Sequence, residues 1–294
     1  MRKTTWVLGL IGIVVIVCIV VLILKVQHHD QTDRKQKETV KSAQNIPKPK
    51  HIVIVVGENH SYNQIIGASD APYINELAKK GVLFTNSHGI AHPSQPNYLA
   101  LFSGDTQGIT DDSCPHTFSS NNLAVALQKK GNSFAGYSED LPSVGFAGCQ
   151  SHSYHRKHSP WVNFSNVPSS SNLPFSSFPK NYSQLPTVSF VIPNLMHDMH
   201  DGTVKQADTW LKKNLDSYIQ WAFSNDSLFI LTWDEDNFKK PNQIPTIFVG
   251  PMLKPGKYPS YMDHYSVLRT IEDMYGIAPV GKTASTSAIK GIWK

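Results

Sequence analysis

The chain has little cysteine, no internal repeat and, beyond its first fifty residues, almost no net charge. The overall formal charge is +5, but it is unevenly placed. Residues 1–50 hold nine Lys and Arg against three Asp and Glu, giving +6, whereas the rest hold 18 against 19, giving −1. The basic excess belongs to the N-terminal part, so a nucleic-acid-binding body is not expected. There are three cysteines, and Cys18 lies in an apolar run with no Leu-Ala-Gly before it, which argues against a lipoprotein. That leaves Cys114 and Cys149 as a candidate disulfide if the body meets an oxidising compartment.

The N-terminus also lacks a cleavage site of small residues. Arg2 and Lys3 precede an uncharged apolar run from Trp6 to Leu24. Nineteen helical residues at ~1.5 Å each just cross a bilayer core of ~30 Å. An uncleaved signal anchor over 1–25 is expected, with the N-terminus inside and the body outside the membrane. Lys25, Arg34, Lys35 and Lys37 follow the run and weaken the charge asymmetry that sets orientation. Residues 26–50 are polar and end in Pro47-Lys48-Pro49-Lys50, the composition of an extended tether. Its cations suit the surface of an anionic membrane.

Residues 51–294 read as one α/β domain. His51–Val56, Thr187–Ile192 and Leu228–Trp233 are short apolar runs rich in β-branched residues, the pattern of buried parallel strands. Val82–Thr85, Ser133–Tyr137 and Pro245–Val249 are further strands. Helices are expected over Pro72–Lys80, Asn121–Lys130, Val204–Phe223 and Asp263–Tyr275. This alternation predicts a mostly parallel sheet with helices on both faces. Residues 140–184, rich in Ser, Pro, Asn and aromatics, show no periodicity and read as an irregular surface-covering insertion.

Three strands end in polar segments, where open α/β sheets bind ligands. They are Gly57-Glu58-Asn59-His60-Ser61, Pro193-Asn194 through His197-Asp198-Met199-His200-Asp201-Gly202, and Asp234-Glu235-Asp236-Asn237. Carboxylates brought together call for a cation. Glu58, Asn59, Asp234 and Glu235 are hard oxygen ligands suited to Mg²⁺, Ca²⁺ or Mn²⁺. Asp198 with His197, His200 and His264 offers a mixed set suited to Zn²⁺ or Mn²⁺, so one or two divalent ions are expected. His88, His116, His152, His155 and His158 have no evident partner and read mostly as surface or packing residues.

A nucleophile is offered by Ala91-His92-Pro93-Ser94-Gln95-Pro96-Asn97-Tyr98. Pro93 disfavours helix at His92, and Pro96 fits a first helical turn. Ser94 is therefore placed at a helix N-terminus, where free N–H groups and the helix dipole favour a phosphate. Ser94 could alternatively serve only as an N-cap.

These five segments, ending with Asp263-His264-Tyr-Ser-Val-Leu-Arg-Thr-Ile-Glu272, occur in an order that resembles the phosphoesterase family of acid phosphatases and bacterial phospholipases C. That family lies in the alkaline phosphatase superfamily. The resemblance spans roughly residues 51–276. It implies metal binding by Glu58, Asn59, Asp234 and Glu235, with Ser94 as the nucleophile beside the metal. It sets His200, Asp201 and His264 in segments lining the active site. Asp198 is expected to join the metal ligands, Asn97 and Asp201 to bind substrate, and His200 or His264 to protonate the leaving group. The match is poor over 140–184, where substrate-selecting loops are expected. No extra C-terminal domain of the large phospholipase C type is present in this sequence, which favours a phosphate monoesterase. A phosphodiesterase acting on lipid headgroups and a non-catalytic phosphate-binding surface protein are the alternatives.

Overall fold

The computed structural model describes Lys25, residues 46–238 and residues 241–294. The expected transmembrane helix and most of the expected tether lie outside the described residues. Among those described, no helix is long and apolar enough to cross a membrane. The compact unit begins at Pro47, a few residues before the expected boundary at 51. The cause is local: the Lys50 N–H donates to the Asp226 carbonyl at 2.8 Å, and the Tyr275 hydroxyl donates to the Pro49 carbonyl at 3.0 Å.

A nine-stranded sheet forms the centre. Its strands are β1 (Ile52–Gly57), β2 (Val82–His88), β3 (Phe134–Ser138), β6 (Asn172–Pro174), β7 (Val188–Ile192), β8 (Leu228–Trp233), β9 (Gln243–Val249), β10 (Gly256–Tyr258) and β11 (Met262–Asp263). A separate small hairpin pairs β4 (Gln150–Ser151) with β5 (Tyr154–His155). The order across the sheet is β10-β2-β9-β8-β1-β7-β3-β6, with β11 extending along β2. β1 lies between β7 and β8, parallel to both, with Ile54 opposite Phe190 and Ile230. Every residue of β1, β7 and β8 is buried. A strand covered on both faces needs apolar residues without alternation, which is the pattern these runs show.

β9 is the exception in direction, antiparallel to both β8 and β2. β10 and β11 were not expected; each is two or three residues long, below the length at which alternation can be read.

The helices are α1 (Tyr62–Ile65), α2 (Pro72–Lys80), α3 (Ser94–Ser103), α4 (Leu123–Gln128), α5 (Val204–Ser224) and α6 (His264–Tyr275). α5 begins at a capping box in which Thr203 Oγ1 accepts from Gln206 N at 3.2 Å and Gln206 Oε1 accepts from Thr203 N at 2.8 Å. It buries Ala207, Trp210, Leu211, Leu215, Tyr218, Ile219 and Ala222, one face at helical spacing. α6 is capped by Asp263, whose carboxylate accepts from Ser266 N at 2.9 Å. α3 is different: every one of its residues is buried, the apolar run Tyr98–Phe102 as well as the polar Ser94, Gln95, Asn97 and Ser103. Gly104 ends it in the left-handed region, and a Cβ there would lie 2.1 Å from the Val280 carbonyl oxygen.

The stretch from 140 to 184 departs from expectation. It is irregular, yet it is no mere cover: β6 completes one edge of the sheet beside β3. A 3-10 turn over Arg156–His158 carries two buried side chains, Arg156 and His158. The Arg156 guanidinium donates to Asn163 Oδ1 at 2.9 Å and to the carbonyls of Ala147, His116 and Val162 at 2.7, 2.8 and 3.2 Å. One fork of donors thus knits three segments that lie outside the main sheet. Cys114 and Cys149 form the expected disulfide.

Candidate active site

The C-terminal ends of β1, β7 and β8 converge with the start of α3. Glu58 follows β1 directly and is fully buried. The preceding Gly57 allows this because a Cβ there would meet the Trp233 ring at 2.7 Å. Asn59, next in the chain, takes a positive φ of 57°. That turn aims the Asn59 N–H at Asp234 Oδ1, 3.1 Å away.

Ser94 is the first residue of α3 and is 2% exposed. Its Oγ caps nothing in the helix and donates to Glu58 Oε2 at 2.9 Å. Tyr98, one turn on, donates to Glu58 Oε1 at 2.5 Å. The hydroxyls at positions 94 and 98 thus hold the two oxygens of one carboxylate from the same helix face.

His158 completes this centre, against the expectation of a packing residue. It is 1% exposed, with Nε2 3.2 Å from Glu58 Oε1 and Nδ1 3.3 Å from Asp198 Oδ2. Its ring stacks on Tyr98 with centroids 5.0 Å apart. Glu58, His158 and Asp198 each offer a ligand atom within 4.8 Å of the others. The sequence signal for His158 was weak, because it lies in the aperiodic stretch and is delivered by the Arg156 knot.

Asp234 and Glu235 follow β8, and both are buried. Glu235 Oε2 accepts from His92 Nδ1 at 2.7 Å. His264, the first residue of α6, is buried, and its Nε2 lies 2.6 Å from the Asp234 carbonyl oxygen. A carbonyl can only accept, so Nε2 carries the proton and Nδ1 presents a lone pair.

Burial dominates the electrostatics of these acids. Burial, reinforced by Asp234 and Asp198, pushes Glu58 well above the usual carboxylate range. Burial likewise raises Asp198 well above that range, lifts Asp234 to about 7 and, with the Asp234 charge beside it, lifts Glu235 to about 9. Burial drives His158 and His264 the other way, toward neutral imidazoles. The ammonium of Lys157 acts against the rise at Glu58, Asp198 and Glu235.

The donor set fits a divalent ion. Six buried side-chain atoms here have no hydrogen-bond partner: Asn59 Oδ1, His158 Nε2, Asp198 Oδ2, Asp234 Oδ2, Glu235 Oε1 and His264 Nδ1. Each bears a lone pair or charge of the kind a metal takes, and leaving such groups unmatched is costly. Glu58, His158 and Asp198 form the tightest group that could hold it, and Asn59, Asp234, Glu235 and His264 supply further donors.

The remaining expected residues are placed as follows. Asn97 lies in α3 beside the site, but its amide serves the loop before it. Its Oδ1 accepts from Ile90 N and Ala91 N at 2.8 and 3.0 Å, and Nδ2 donates to the Ala91 and Pro93 carbonyls at 2.9 and 3.1 Å. Asn97 thus braces the turn that carries Ser94, and its Nδ2 also lies 3.5 Å from Glu235 Oε2 in the site. His200 and Asp201 sit at the rim and bond each other, Nδ1 to Oδ1, at 2.7 Å. His197 lies outside the metal group and bonds Glu139 Oε2 at 2.9 Å. Lys157 was not singled out in the sequence; its Nζ reaches Asp112 Oδ2 at 2.8 Å and His200 Nε2 at 3.4 Å.

Comparison with known proteins places the chain in a family. A phosphatidylinositol-3-phosphatase of Mycobacterium tuberculosis is 48% identical over 255 residues, covering 86% of this chain and 85% of that one. A phosphate-repressible acid phosphatase of Penicillium chrysogenum is 32% identical, covering 71% of this chain and 55% of its own length. Among solved structures, an alkaline phosphatase superfamily protein of Vibrio parahaemolyticus superimposes with a TM-score of 0.57 at 13% identity, covering 82% of this chain and 71% of that one. Residues 68–278 match the Phosphoesterase family. The chain therefore belongs to the Phosphoesterase family and has an alkaline-phosphatase-like α/β fold.

Proposed function

We propose that this chain is a metal-dependent phosphatase that hydrolyses phosphate monoesters through a phosphoserine intermediate on Ser94. Membership in the family, with phosphatases among its relatives, already makes it a hydrolase of phosphoric ester bonds. The observation that carries the finer reading is the Ser94 Oγ to Glu58 Oε2 hydrogen bond at 2.9 Å, joining a nucleophile to the Glu58, His158 and Asp198 group.

Ser94 Oγ attacks phosphorus as its proton passes to Glu58 Oε2, and the ester oxygen leaves opposite. The leaving oxygen takes a proton from water. Water then attacks the phosphoserine, releasing phosphate and restoring the hydroxyl. A bound divalent ion supplies positive charge that favours ionised Ser94 and offsets charge on the phosphoryl oxygens.

A lipid phosphomonoester is the favoured substrate class. The name of the M. tuberculosis relative supports it, as does the apolar run Trp6–Leu24, which would tether the domain to the outer face of a membrane. A diester substrate, as for a phospholipase C, is the second reading. Parallel assays on p-nitrophenyl phosphate and bis-p-nitrophenyl phosphate with added divalent metal, then on vesicles containing phosphatidylinositol 3-phosphate, test the reading. Turnover of the diester alone would replace it, and no turnover with any metal would leave a phosphate-binding protein.

A further inference from the structure

The turn that delivers His158 also delivers Lys157, and the two side chains part: the imidazole enters the carboxylate centre and the ammonium goes to its rim. The Lys157 side chain is 12% exposed, an uncommon burial for lysine. It is tied back to the nucleophile through one carboxylate. Asp112 Oδ2 accepts from Lys157 Nζ at 2.8 Å, and Asp112 Oδ1 accepts from Gln95 N, the residue after Ser94, at 2.9 Å. The Cys114–Cys149 bridge joins the segment of Asp112 to the one that leads into this turn.

An ammonium has three N–H donors. One goes to Asp112, and a second faces His200 Nε2 at 3.4 Å. Asp201 Oδ1 holds the other imidazole nitrogen at 2.7 Å, which leaves Nε2 as the acceptor toward lysine. Among the described residues the third donor has no partner. Asp112 neutralises only part of the pull of this cation, because the same carboxylate is shared with the Gln95 N–H.

We propose that Lys157 binds a non-bridging oxygen of the substrate phosphoryl group and makes the site prefer a dianionic monoester to a monoanionic diester. The inference rests on the phosphatase reading above and extends it to substrate choice. A monoester at neutral pH carries nearly two negative charges over three terminal oxygens, and a diester carries one over two. In a water-excluded site the pull of a fixed cation scales with the charge it meets. Asp112 and His200 are then positioning residues that aim the ammonium.

The test uses the full chain loaded with divalent metal and the variants Lys157→Met, Lys157→Gln and Lys157→Arg. Lys157→Met is expected to lower kcat/KM on p-nitrophenyl phosphate by about 100-fold, equal to about 2.7 kcal/mol. On bis-p-nitrophenyl phosphate the loss should stay below about 5-fold, since less charge is at stake. Lys157→Arg should restore part of the monoester rate, and Lys157→Gln should not. An equal loss on both substrates would show a structural counter-ion and overturn the proposal, as would no loss on either. Should Lys157→Met fail to fold, the Gln and Arg pair decides by the same ratio. Titration with inorganic phosphate and with dimethyl phosphate separates this proposal from the one it rests on. If the wild type turns over neither ester, the phosphatase reading fails. Lys157 is then still judged by binding: weaker phosphate binding in the Met variant with dimethyl phosphate unchanged supports it, and equal binding of phosphate ends it.

Discussion

Ser94 donates its hydroxyl proton to Glu58 across 2.9 Å, although the two residues stand 36 apart in the chain, one opening a helix and the other closing a strand. The contact is built from both sides. Tyr98 fixes the second oxygen of Glu58, and Asn97 fixes the loop that turns into Ser94. Hydroxyl and carboxylate therefore meet already aligned, and several tests follow from that alignment.

Ser94→Ala should abolish turnover, with a loss of ~10⁴-fold or more, or ~5 kcal/mol of transition-state stabilisation. Because the hydroxyl does not cap α3, its loss should change stability by only about 1 kcal/mol. Brief incubation with ³²P-labelled substrate and acid quench should place label on the Ser94 peptide of the wild type. A folded, metal-loaded alanine variant with near-normal turnover would rule out the covalent route.

Metal affinity should depend on Glu58, Asp198 and His158 together. Glu58→Gln, Asp198→Asn and His158→Ala should each weaken binding of a divalent ion by at least about 10-fold, the scale of losing one support at a metal centre. Elemental analysis after dialysis and calorimetric titration measure this directly. Wild-type affinity in the His158 variant would return that residue to a packing role.

Asn97→Ala should act mainly on folding. It leaves the N–H groups of Ile90 and Ala91 without their acceptor, at a cost of about 2–4 kcal/mol. Denaturant unfolding reads the loss. Asn97→Asp keeps the acceptor and should retain more of the stability.

A pH signature should come from Glu272, on the far part of α6. Burial lifts this carboxyl to about 7, although Thr283 Oγ1 and Val280 N donate to its Oε1 at 2.9 and 2.8 Å. A carboxyl whose folded value exceeds its unfolded one stabilises fully below the unfolded value near 4.5 and loses that contribution as pH rises through about 7. Between pH 5 and 8 the wild type should lose on the order of 2 kcal/mol more than Glu272→Gln, after discounting for solvent screening. Thermal melts of both proteins, metal-loaded and in matched buffers, give the difference; parallel curves would refute it.

Thiol labelling of the denatured full chain should find one reactive cysteine, Cys18, without reductant and three with it. Replacing Cys114 and Cys149 by serine should cost about 3–4 kcal/mol, as expected for a sequence separation of 35 residues.

What could be read from the sequence follows a physical divide. β1, β7 and β8 were legible because strands buried on both faces must be apolar throughout, and their polar ends marked the site. Ser94 was legible because two prolines constrain its turn. His158 and Lys157 were not, since a 3-10 turn held by one guanidinium leaves no periodic trace. The reversed direction of β9 was equally hidden, because a buried strand reads the same both ways. The bracing of the Ile90–Ala91 loop by Asn97 was hidden as well, because it pairs side chain with backbone and leaves no pattern in the letters.

The Arg156 knot bears on how members of such a family can diverge. Loops over a catalytic face are commonly treated as interchangeable cassettes that alter substrate preference while the scaffold keeps the chemistry. Here the stretch between Leu141 and Gln184 supplies a side chain to the candidate metal group and a strand to the sheet edge. Transplanting it would import or delete part of the candidate centre along with any change in selectivity. Diversification there is confined to positions that leave Arg156 and its four acceptors in place.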